Sequence, residues 1–146
     1  MSRFDAVFAG GRAPGVYRFP PRASLKALRR EAQARGWRVF HLPGRGIRNK
    51  ASFLAAGGPV FGLPDYTGQN WDAWEEALND LGWAPASGYL IILDRLGELA
   101  ASDPEAWATA LDILRTAAAG WKDRGKPFFV LARGETPGKP EALEAL

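Results

Sequence analysis

The stretch Leu63–Trp83, LPDYTGQNWDAWEEALNDLGW, holds five carboxylates and no cation: Asp65, Asp72, Glu75, Glu76 and Asp80. No lysine, arginine or histidine occurs anywhere from Ala51 to Asp94. Carboxylates gathered without counter-charge suit three uses: they hydrate a surface, work as an acid–base pair, or present negative charge to a cationic partner. Acid–base work of the glycoside-hydrolysis type sets two carboxyl groups against each other across a cleft. Here helical spacing puts them side by side on one element, which argues against catalysis. A solvated helix face is the plain structural alternative to a protein-binding face, on which charge steers association and selects the partner.

The elements around these residues sharpen the choice. Asn70 is a suitable N-cap and Gly82 a stop for a helix from Trp71 to about Leu81. Trp71, Trp74, Leu78 and Leu81 then form a core-facing stripe at i, i+3, i+7 and i+10. Asp72, Glu75, Glu76 and Asn79 fall on another face, with Asp80 beside them. The macrodipole favours Asp72, near the helix start, but does little for Glu75, Glu76 and Asp80. The pairs Asp72/Glu75, Asp72/Glu76 and Glu76/Asp80 each cost roughly 0.2–0.5 kcal/mol in an isolated helix. Local stability favours a lysine at one of these positions, and none is present.

The chain as a whole is basic, and its positive charge lies in the first fifty residues. Residues 1–50 carry +10, residues 51–94 carry −6 and residues 95–146 carry −1, giving a net charge of +3. Such asymmetry speaks of partners rather than of fold. The 146 residues and their ordinary apolar content fit one globular domain. With no cysteine there is no disulfide, thiolate metal site or cysteine nucleophile. Neither a signal peptide nor a membrane-length apolar run is seen, so a soluble, cytoplasmic protein without membrane contact is expected.

Other candidate residues are weaker. His41 is the single histidine, so a histidine pair for metal binding or ribonuclease chemistry is excluded, and a structural or solvated role is expected. Thr67 and Ser87 lack a base and read as turn residues. The loop GRGIRNK (44–50), with Arg45, Arg48 and Lys50, has the makings of a phosphate cradle or of a plain solvated loop. Arg29, Arg30 and Arg35 on a basic helix suit electrostatic RNA binding, without an accompanying aromatic stacking pattern. Trp107 and Trp121 read as core or rim packing.

Residues 1–14 read as a loose arm, followed by a strand at 15–19. Ser24 caps a helix that Gly36 stops, and a strand follows at 37–42. A short helix at 50–56 is expected to end at Gly57-Gly58-Pro59. After the acidic helix come the apolar strand YLIILD (89–94), a long helix opened by Asp103-Pro104 and stopped by Gly125, and the strand PFFVLA (127–132). The tail from 134 reads as polar and loose. Alternating helices and fully apolar strands predict an α/β fold with a small parallel sheet of three to four strands flanked by helices. Residues 1–36 would be an extension packed on the same domain, 37–133 its main body and 134–146 a tail.

Within this frame one motif is specific. Leu63, Pro64, Asp65, Tyr66, Gly68, Asn70, Asp72 and Ala73, followed by an apolar strand, resemble the signature of the barstar family of ribonuclease inhibitors. The resemblance covers about Trp37 to Ala132. It implies the same α/β fold and no catalytic activity or cofactor. It also implies a free monomer that plugs the active site of a basic, small ribonuclease or related toxin, as an immunity protein does. Carried over, Asp72 would be the first carboxylate to reach the partner's cations, and Glu76 stands where the family has its main interfacial Asp. Tyr66 would pack on the partner, with Glu75, Asn79 and Asp80 alongside. Glu75 replaces an aromatic, Glu76 is one methylene longer than Asp, and Thr116 falls where a further acid would be expected. A nucleic-acid-binding module built on the basic N-terminal region is the second reading, nucleic acid not being the expected partner.

Overall fold

The computed structural model describes residues 4–20, 22–63, 70–134 and 143–146. Its strands are β1 (Gly15–Arg18), β2 (Arg38–Pro43), β3 (Tyr89–Asp94) and β4 (Phe128–Arg133). They form one parallel sheet in the order β1-β4-β3-β2. The two continuous apolar runs, β3 and β4, take the centre and are buried on both faces, as a parallel sheet covered by helices requires.

The helices are α1 (Asp5–Phe8), α2 (Leu25–Ala34), α3 (Lys50–Val60), α4 (Trp71–Asp80), α5 (Gly97–Ser102) and α6 (Pro104–Asp123). They make two layers. On one face α1 and α2 bury Phe4, Val7, Leu28 and Ala32 against Leu90, Ile92, Phe129 and Leu131. On the other, α3 to α6 bury Phe53, Trp74, Leu78 and Leu111 against Phe40, Ile91, Phe128 and Val130. The expected α/β architecture is present, with four strands.

Three local expectations are corrected. The Gly57-Gly58-Pro59 run does not end α3, which continues through it to Val60. A Cβ at position 57 would lie 3.4 Å from the Trp74 indole nitrogen and 3.7 Å from Phe53. Gly57 and Gly58 are buried, and this tertiary packing outweighs the poor helix propensity of glycine. Pro59 lies in the last turn; it removes one hydrogen bond, to the carbonyl four residues before it, and the helix ends one residue later. Residues 4–8 are not loose: Phe4 and Val7 are buried, Phe4 meets Phe19 at 5.6 Å, and Phe8 meets Trp37 edge-on at 4.9 Å. At the far end, residues 143–146 are held as well. The backbone N–H of Arg18 donates to Glu144 O at 2.8 Å, and Arg18, the last residue of β1, forms an isolated parallel bridge with Ala145.

Candidate functional site

The acidic segment folds as α4 because both of its ends are tied down. The Asn70 side-chain oxygen accepts from the backbone N–H of Asp72 at 2.8 Å and of Ala73 at 3.4 Å, satisfying two orphan donors of the first turn. At the other end Leu81, rather than Gly82, takes the left-handed conformation, with φ 46°. The Trp121 indole N–H donates to Leu78 O at 2.8 Å and so occupies one of the terminal carbonyls. Between these ends Trp74 is fully buried, its ring 5.1 Å from Phe53 and 6.1 Å from Phe61.

This packing fixes the phase of the helix. Trp74, Leu78 and Leu81 face inward as the spacing predicts. Trp71 is only half-buried. It lies over Phe53 at 5.7 Å, with the Lys50 ammonium 5.9 Å from its ring centre. Asp72, Glu76 and Asp80 are exposed, and Glu75 is half-buried. Asn79 turns partly back on the fold: its amide N–H donates to Glu75 O at 2.8 Å, and its oxygen lies toward Gly120 of α6. Among the described residues the ion pairs are Arg12–Glu144, His41–Asp94, Arg48–Glu98 and Arg133–Asp94, and none uses a carboxylate of α4. Tyr66 and Asp65 lie outside the described residues.

A family model described as Barstar (barnase inhibitor) matches residues 37–133. The chain belongs to the barstar family. Comparison with curated proteins gave no match. The barstar match runs from the residue before β2 to the end of β4 and includes α4 entire. It leaves α1, β1 and α2 outside, although β1 is hydrogen-bonded into the same sheet.

One exposed residue shortly after α4 was not singled out by spacing. Trp83, two residues past Leu81, is 50% exposed, the exposed large hydrophobic among the described residues. Its ring meets Phe40 at 6.0 Å and carries the Arg38 guanidinium 5.3 Å from its centre. The available signal was its position between a helix stop and Pro85. Thr116 is exposed on α6, and its hydroxyl donates to Asp112 O at 3.0 Å.

The basic loop 44–50 is committed to structure. The Gly44 N–H donates to Asp94 O at 2.6 Å, those of Arg48 and Asn49 to Ser52 Oγ, and that of Lys50 to Asp103 at 3.2 Å. Asn49 and Ser52 form a capping box at the start of α3. With these N–H groups engaged, the loop offers little of the free backbone that a phosphate cradle needs. His41 belongs to a polar network: Nε2 is 3.0 Å from Asp94, and Nδ1 is 2.9 Å from an Arg29 guanidinium nitrogen. Arg29 can only donate, so Nδ1 accepts and Nε2–H faces the carboxylate. Among the described residues no cluster of three or more His, Cys, Asp or Glu is placed to hold a metal, and no helix is long and apolar enough to cross a membrane.

Proposed function

We propose that this barstar-family chain inhibits a small ribonuclease or related toxin domain by laying α4 against the partner's basic active site, one to one. Asp72 and Glu76 stand at the centre of the contact, Glu75, Asn79 and Asp80 flank it, and Tyr66 adds an aromatic from the preceding segment. The chain's own contribution is binding rather than catalysis. The observation that carries this reading is a helix anchored at both ends and through Trp74, whose exposed carboxylates have no cation among the ion pairs of the described residues. A rigid acidic face needs little reordering on binding, which keeps the entropic cost of association low.

Inhibition assays against a panel of basic, guanyl-preferring ribonucleases test it, with Asp72→Ala/Glu76→Ala as the control. Removing one partner from a buried ion pair costs about 3–5 kcal/mol, so the double variant should lose at least a hundredfold in affinity for any nuclease the wild type inhibits. Wild-type association should slow markedly as salt shortens the Debye length. Equal inhibition by wild type and double variant would sink the site. Failure of the wild type against the whole panel would sink the ribonuclease reading.

A further inference from the structure

The side of the sheet opposite α4 carries the reverse charge. The outer face of α2 presents Lys26 and Arg30, one helical turn of about 6 Å apart, and Arg22 precedes its N-cap; all three are exposed. The row is extended by Arg29 of α2 and, at the carboxyl ends of the strands, by Arg133 and Arg95. Arg29 reaches His41, His41 reaches Asp94 at 3.0 Å, and Arg133 stands 3.7 Å from the other Asp94 oxygen and over the Phe19 ring. Arg95 is joined to this edge through its backbone N–H, which donates to Arg133 O at 2.8 Å. Asp94 thus meets Arg133 directly and Arg29 only through His41, and one carboxylate cannot neutralise both arginines. The carboxyl edge of an open parallel sheet is also where such folds place ligands.

The chemistry of the face narrows its partner. The apolar residues of α2 are spent on the core: Leu28 and Ala32 are fully buried, and Leu25 is packed against the same cluster. A membrane-surface helix would keep Trp, Phe or Leu on show, and a protein interface would carry an aromatic or aliphatic anchor at its centre. The exposed large hydrophobic among the described residues, Trp83, packs on Phe40 under the other layer. Beside the half-buried Glu31 and Asp94, the face is a track of cations, five arginines to one lysine, whose guanidinium forks match phosphate oxygens.

We propose that this face binds the phosphodiester backbone of nucleic acid independently of sequence, and that it does so while α4 remains free on the opposite side of the sheet. Fluorescence anisotropy of the full chain with a labelled single-stranded RNA, and with the DNA of the same sequence, tests it. Six phosphate contacts at about −0.7 each give a slope of log K against log salt near −4, and removing three brings it to about −2. Arg22→Ala/Lys26→Ala/Arg30→Ala should therefore bind at least tenfold more weakly in low salt. The charge-conserving Arg22→Lys/Arg30→Lys and the α4 variant Asp72→Ala/Glu76→Ala should both bind within a few-fold of wild type. RNA and DNA should bind alike. Several results would overturn the proposal: no detectable binding by wild type in low salt, undiminished binding by the triple alanine variant, or binding indifferent to salt. A more than tenfold preference for one strand type, or equal competition by poly-glutamate of the same charge, would overturn it too.

Discussion

Replacing Glu76 with lysine should make the protein more stable while destroying the proposed contact. Glu76 is exposed near the middle of α4, one turn from Asp72 and one turn from Asp80. The substitution removes two like-charge pairs at i,i+4 and installs two opposite-charge pairs in their place. At roughly 0.2–0.5 kcal/mol for each of the four changes, the isolated-helix gain is about 1–2 kcal/mol. Exposure and screening bring it toward about 1 kcal/mol. In a chain of this size that corresponds to a rise in Tm of about 2–4 °C. Glu76→Gln removes the repulsions without adding attractions, so it should show about half the gain. Urea and thermal melts of the three proteins at low ionic strength measure the effect. The same melts in about 1 M salt, where the Debye length is about 3 Å, should erase most of it. Lysine and glutamate have similar helix propensities, so a gain undiminished by salt could not come from the charges. That result, or no gain at low salt, would refute the claim that α4 carries uncompensated repulsion.

Three further substitutions probe what holds the site. In Gly44→Ala the new Cβ would stand 2.5 Å from Asp94 O and 2.6 Å from Arg95 O; because both are backbone atoms, the end of β3 must shift, at a cost of about 1–3 kcal/mol or more in urea unfolding. Trp121→Phe leaves Leu78 O without its indole donor, should cost about 1–3 kcal/mol, and should speed hydrogen exchange in the last turn of α4. Burial pushes the Tyr89 hydroxyl pKa above its ordinary value near 10, only partly offset by the Ala86 backbone, Arg124 and Arg38. A group whose folded pKa is raised contributes stability in full below its unfolded pKa and loses it as pH rises through the folded value. Stability should therefore decline above about pH 10, and Tyr89→Phe, compared over the same alkaline range, should flatten that decline.

How much of this was legible in the sequence follows from how local each signal is. β3 and β4 are continuous apolar runs, so their burial could be read directly, and the α4 stripe was readable because Trp74 and Leu78 repeat at helical spacing. The placing of β1 beside β4 was not, because no local pattern encodes a pairing between opposite ends of a chain. The run of α3 through Gly57-Gly58-Pro59 depends on the approach of Trp74, a tertiary contact that overrides propensity. α5, GELAAS, is too short to show a period. In α1, Phe4, Val7 and Phe8 do have helical spacing, but the glycines and proline that follow masked it. At the candidate site the exposed carboxylates could be read from phase alone. The half-exposure of Trp71, the turning of Asn79 toward α6 and the display of Trp83 depend on neighbours supplied by other elements.

The strand order bears on how the molecule is assembled in time. Gly15 lies opposite Phe129, so β1 has no sheet partner until the last strand of the chain has been made. During synthesis β1 must wait, while α2, β2, β3 and the helices between them already have partners for one another. Parallel pairings between such distant segments are slow to close, and an unpaired strand with exposed apolar side chains is the species most open to aggregation. The net charge of +10 over residues 1–50 favours solubility of the unpaired segment. When β1 docks on β4, Tyr17 and Phe19 enter the core beside Phe129 and Leu131.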